Sequence, residues 1–114
     1  MSLIGPGALV IVHLVNPTEK LWGVLGELSL HGATLRAISV ESFDDWMAQA
    51  VRGSDQTLGL ATLFVPLFRV EKMYLDESVG EVESYHQRFR RRVGLSVHEY
   101  IGLGDDTGDG SMPS

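Results

Sequence analysis

Residues 8–40 read ALVIVHLVNPTEKLWGVLGELSLHGATLRAISV, and this stretch decides the fold. Residues 8–15 are a short, β-branched apolar run closed by Asn16-Pro17. That length and composition predict a strand buried on both faces, or nearly so. Residues 21–29 predict a second strand with Gly23 and Gly26 inside it. A glycine within a strand signals a bulge, a sharp bend or a close approach of another backbone. His31-Gly32 reads as a turn, and Ala33 to Val40 as a third strand.

The period then changes. Phe43, Trp46, Met47, Ala50 and Val51 fall on one face of an amphipathic helix over residues 43–51. Ser42 and Asp45 are placed as cap and first-turn acid, Asp44 adds to the dipole interaction, and Gly53 is placed to end the helix. Residues 58–75 predict two strands, or one long bent strand, with Pro66 at an edge or bend because proline cannot donate to a ladder. After Pro66, Phe68, Val70 and Tyr74 alternate with Arg69, Glu71 and Met73, the pattern of a half-exposed strand. Ser78-Val-Gly-Glu81 fits a capping box. It opens a helix over residues 78–93 with Val79, Val82, Tyr85, Phe89 and Val93 as its stripe and Gly94 as its stop. A short turn starts at Ser96, with Glu99 three residues on. Residues 104–114 have the composition of a flexible acidic tail.

The expected order is therefore β-β-β-α-β-β-α. It suggests a mainly β, α+β fold: a small, bent, five-stranded antiparallel barrel with an inserted helix and a C-terminal helix. An open α+β sheet covered by two helices is the competing architecture. The expected organisation is an N-terminal segment 1–7, one domain over 8–102, and a tail over 103–114.

The 114-residue chain carries 9 Lys+Arg against 15 Asp+Glu, a formal net charge of −6. Such a balance argues against generic nucleic-acid binding, which needs clustered cations. There is no cysteine, hence no disulfide, thiolate metal site or cysteine nucleophile. Residues 1–18 hold no charged side chain, but Gly5, Pro6 and Gly7 interrupt them and no positive residue leads. The expectation is a cytoplasmic protein without a signal peptide or membrane partner.

Candidate chemistry is sparse. His13, His31, His86 and His98 lack metal-ligand spacing, and His13 reads as a hydrogen-bonded core residue. Asp105-x-Thr107-x-Asp109-Gly110 opens like a calcium loop but reads as acidic tail. Asp44-Asp45 and Glu81/Glu83 read as first-turn helix acids. No nucleophile elbow is present, and no cofactor is expected. The basic feature is Arg88, Arg90, Arg91 and Arg92, at a helix C-terminus where cations suit the dipole. It is the candidate anion or nucleic-acid contact.

Three local resemblances carry expectations. Val10-x-Val12-x-Leu14-x-Asn16, Gly23-x-Leu25, and Phe64-Val-Pro66 followed by Val70 to Leu75 resemble the strands of Sm-like small barrels. That resemblance implies homo-oligomeric rings built by edge-strand pairing, with RNA as a ligand. Glu27-Leu28-Ser29-Leu30-His31-Gly32-Ala33 is similar to the D/N-x-S-x-x-G stretch of PilZ domains, which implies a cyclic dinucleotide ligand. Phe89 to Tyr100 resembles the end of the helix-turn-helix domain of AraC-type regulators. Together with the absence of a catalytic group set, these readings favour a non-enzymatic, homo-oligomeric assembly or binding module. An RNA- or nucleotide-binding regulator is the alternative.

Overall fold

The computed structural model describes residues 4–53 and 58–102. Two compact units divide the chain, Met1–Asp76 and Glu77–Ser114. The first holds strands β1 (Leu9–Leu14), β2 (Glu19–Leu28) and β3 (Gly32–Ser39), helix α1 (Phe43–Arg52), and strands β4 (Ala61–Pro66) and β5 (Val70–Leu75). The second holds helix α2 (Tyr85–Val93) and a further helical stretch over residues 97–102.

All five strands pair antiparallel in the order β4-β3-β2-β1-β5. β4 and β5 are the two edges and do not pair with one another, so the sheet is not closed into the expected barrel. The fold is an open, mainly β, α+β arrangement. One face of the sheet gathers side chains from every strand into a single apolar cluster. Val10, Val12, Leu14, Leu25, Ala33, Leu35, Ala37 and Val65 form its centre, and Leu63, Val70, Met73 and Leu75 pack around them.

Both strand glycines serve the purposes their positions suggested. Gly23 lies directly opposite Ala37. A Cβ there would stand 2.6 Å from the Ala37 Cα and closer still to the Arg36 carbonyl. Gly26 is the extra residue of a bulge, since Leu25 pairs with Leu35 and Glu27 with Thr34. A second register shift lies between β1 and β5, where His13 pairs with Lys72 and Leu14 with Val70, which leaves Glu71 as the extra residue. That bulge corrects the alternation expected after Pro66. An extra residue reverses the two-residue period, so Val70 and Met73 share the core face while Tyr74 is exposed.

Helix α1 buries the first part of its predicted face, while Val51 at its end is exposed and Gln49 is buried instead. Phe43, Trp46 and Met47 are buried, and Gly53 takes a left-handed φ of 67° as its C-cap. Ser42 does not cap it; a 3₁₀ turn over Val40–Ser42 leads into the helix, and the Ser42 side chain makes no capping hydrogen bond. On the opposite face of the sheet from the aliphatic cluster, the Trp22 ring meets Phe43 edge-on at 4.8 Å and Trp46 at 5.5 Å. The Trp22 indole donates to the carboxylate of buried Asp76 at 2.9 Å. At the far end of α1, the buried Gln49 amide pairs with both backbone groups of Leu58, which fixes where the chain returns towards β4.

The C-terminal helix is shorter than expected. It starts at Tyr85, not Ser78, and its N-cap is Ser84, whose hydroxyl accepts from the Gln87 N–H at 3.1 Å. Gly80 has φ 60°, outside the right-handed helical region, and Val79 and Val82 pair as an isolated bridge around it. Glu81 and Glu83 therefore precede the helix instead of lining its first turn. Ser78 has a different use: its hydroxyl accepts from the Ser84 N–H at 3.0 Å and donates to the Gln87 side chain. Gly94 closes α2 with φ 92°. Ser96 and Glu99 then form a reciprocal capping box at 2.9 and 3.0 Å, which opens the helical stretch from residue 97. Backbone and hydroxyl donors of Ser96 hold the Glu99 carboxyl below its usual range.

Candidate functional site

The four arginines have different surroundings. Arg91 is tied to Glu83 in a two-pronged ion pair, Nε to Oε2 at 3.1 Å and Nη2 to Oε1 at 2.8 Å. That bond lowers the Glu83 pKa, with the Arg91 charge adding to it. Arg88 is half-buried, with its guanidinium 5.6 Å from the centre of the Tyr85 ring, a cation–π distance. Arg90 and Arg92 are exposed at the end of α2. The pairing with Glu83 was hidden in the sequence because an eight-residue separation becomes a contact only once the chain turns into the helix at Ser84.

The most conspicuous surface is apolar and belongs to the β4 edge. Phe64 lies half-exposed on that strand, and the 3₁₀ turn that follows it, Leu67–Arg69, presents Leu67 and Phe68. The β2–β3 turn lies against the same end of β4, because the Leu67 N–H donates to the His31 carbonyl at 2.9 Å. Leu30 in that turn is exposed as well. Phe68 is 84% exposed and Leu30 90%, so two large apolar side chains are almost wholly in water beside an unpaired strand edge. The sequence pattern placed Phe68 in a half-exposed strand with Val70 and Tyr74, whereas it lies in the 3₁₀ turn that follows Pro66.

A third cluster crosses the middle of the sheet. Lys20 on β2 and Lys72 on β5 are the direct cross-strand partners of His13 on β1. The His13 Nε2 is 3.1 Å from the Tyr74 hydroxyl, and the two rings meet edge-on at 5.3 Å. Lys72 Nζ stands 5.7 Å from the centre of the Tyr74 ring. His13 is half-buried, hydrogen-bonded as expected but not enclosed in the core. Beside Lys20 lies an open groove of about 530 Å³ lined by Thr18, Glu19, Leu21, Ser39, Val40 and Glu41. Arg69 engages Glu19 at 3.4 Å and the carbonyls of Val15 and Pro17 at 3.0 and 2.7 Å, which anchors this end of the sheet.

Among the described residues, no three His, Asp or Glu side chains gather to hold a metal, and no helix is long and apolar enough to cross a membrane. The calcium-loop-like stretch Asp105–Gly110 and the rest of the expected tail lie outside the described residues. Comparison with protein-family models, with curated proteins and with solved structures finds no match.

Proposed function

We propose that this chain is a non-enzymatic assembly module of the cytoplasm that self-associates through the β4 edge of its sheet. One observation carries the reading: Phe64, Leu67, Phe68 and Leu30 are exposed beside a strand whose outer backbone groups have no partner strand among the described residues. An exposed apolar edge strand is a template for another chain, and a contiguous apolar patch on a folded surface marks an interaction site. The resemblance to Sm-like small barrels supports the same reading. Five antiparallel strands share one apolar cluster, and the chain bends at Pro66 from β4 into β5. In the finer form of this proposal, pairing between copies completes what the single sheet leaves open. The alternative contact, nucleic acid at the arginine helix end, is less favoured. Arg91 is already held by Glu83, which leaves less charge to displace counterions from a phosphate backbone.

The test is the native mass by size-exclusion chromatography with light scattering, for the wild type and for Phe68→Asp. The wild type is expected at a multiple of the 12.5 kDa chain mass and the variant nearer to it. Burying one phenyl ring stabilises an interface by roughly 1.5–3 kcal/mol, so its loss raises the dissociation constant about ten- to a hundredfold. A wild type that remains monomeric at every concentration refutes the proposal. A raised 260/280 nm absorbance ratio lost on Arg90→Ala would point to the nucleic-acid reading instead.

A further inference from the structure

The lysine–histidine row crosses β2, β1 and β5 on the sheet face that also carries Trp22, away from the β4 edge. We propose that Lys20, His13 and Lys72, with the Tyr74 hydroxyl beside them, form a binding site for a phosphate group, free or carried on a small molecule.

The geometry follows from the pairing. Residues directly opposite one another in an antiparallel ladder project on the same face. His13 is opposite Lys20 on one side and Lys72 on the other, so the three side chains form one row across three strands. Neighbouring strands are about 4.8 Å apart. The two lysine backbones therefore lie about 10 Å from each other, within range for their four-carbon stems to converge over the central imidazole. Like charges placed across a ladder destabilise a sheet. In a chain with a net charge of −6, this concentration of cations is local, and an anion seated between them would relieve it.

The central histidine is held in place for that contact. Its Nε2 pairs with the Tyr74 hydroxyl, which fixes the ring plane, and Lys72 lies over the Tyr74 ring. Burial, then the Lys72 charge, then the Lys20 charge depress the His13 pKa, while Glu71 opposes them. Glu71, the bulge residue of β5, is the acid whose charge reaches His13, and Glu19 and Glu41 line the groove beside Lys20. Without an anion these surroundings disfavour the imidazolium. A bound dianion reverses the sign of its surroundings and favours the imidazolium, which adds a third positive charge to the row. By linkage, anion affinity rises as pH falls through the depressed His13 pKa, and the anion in turn raises that pKa.

The experiment is an NMR titration of the His13 ring against pH, with His31 on the β2–β3 turn as internal reference. It is run in chloride, in sulfate (which keeps its charge across this range) and in pyrophosphate, at matched ionic strength. The expected result is a rise of about one unit in the His13 pKa with either polyanionic probe. That corresponds to about tenfold tighter binding to the protonated form. The shift should vanish in the exposed double variant Lys20→Gln/Lys72→Gln. A parallel titration with adenosine monophosphate separates the sources. An effect larger than that of sulfate assigns the phosphate to a nucleotide-sized ligand, and an equal effect assigns the site to the phosphate group alone. A His13 pKa that is the same in chloride, sulfate and pyrophosphate overturns the proposal, whatever the native mass shows about β4.

Discussion

Replacing Gly23 by alanine tests the tightest contact in the sheet. Gly23 and Gly26 are both in β2, and neither has a left-handed φ, so alanine can adopt either backbone. Without other contacts, each change would stabilise the strand by about 0.5–1 kcal/mol through the unfolded state. The neighbours decide otherwise at Gly23. The new methyl would stand 2.6 Å from the Ala37 Cα and 2.7 Å from its Cβ, where van der Waals contact needs about 3.5–4.0 Å. These atoms belong to the β3 main chain or its first side-chain carbon, so no rotamer change relieves them. β2 and β3 must separate by about 1 Å at their centre. Overpacking of this kind costs about 1–3 kcal/mol, and a weakened ladder hydrogen bond adds about 1 kcal/mol. After the gain of about 0.5–1 kcal/mol through the unfolded state is subtracted, the net expectation is a loss of about 1–3.5 kcal/mol. At Gly26 the nearest atoms are the Thr34 hydroxyl at 3.0 Å, on a side chain that can turn away, and the Thr34 carbonyl at 3.3 Å, a few tenths of an ångström too close, so Gly26→Ala should stay within about 1 kcal/mol of the wild type. Urea melts of the three proteins, compared by midpoint at constant slope, separate the cases. Equal midpoints for the two variants would refute the close approach of β3 at Gly23.

Two further substitutions test the helices. Trp46→Ala removes a buried side chain from the cluster with Trp22 and Phe43 and should cost roughly 3–5 kcal/mol in the same melts; a loss below about 1 kcal/mol would mean that α1 does not dock through this face. Ser84→Ala should cost about 1 kcal/mol, the usual value of an N-cap, together with a loss of helical circular dichroism signal; a silent substitution there would return the helix start to Ser78.

The legible parts of the fold are those set by neighbours in sequence. The run from Leu9 to Leu14 announces a strand, Phe43 to Met47 a helix face, and Gly53 and Gly94 the ends of helices. Ser96 and Glu99 form their capping box as spaced. The start of α2 was legible in principle, because Ser84-Tyr-His-Gln87 is as good a box as Ser78-Val-Gly-Glu81; Gly80 between Ser78 and Ser84 is the residue that favours the later one. What the sequence hides depends on a partner strand. The extra residue at Glu71 exists only relative to β1, and it reverses which of Met73 and Tyr74 faces the core. The same bulge leaves Lys72 opposite His13, so the candidate phosphate row is invisible until the register is known. Closure of the sheet was equally hidden, because strand count and order do not say whether the first and last edges meet. The charge at Arg88–Arg92 was legible as composition. Its partial neutralisation by Glu83 was not.

The aromatic contact between α1 and the sheet gives the molecule a built-in optical label. Trp22 and Trp46 are the chain's two tryptophans, and their rings lie 5.5 Å apart. Intrinsic fluorescence excited at the red edge of protein absorption therefore reports one event, the exposure of the α1–β2 contact to water. Residues 77–102 hold no tryptophan but contribute helix to the far-ultraviolet spectrum. Melting curves followed by emission wavelength and by ellipticity must coincide if the two units unfold together. Any gap between them measures the free energy by which one unit outlasts the other.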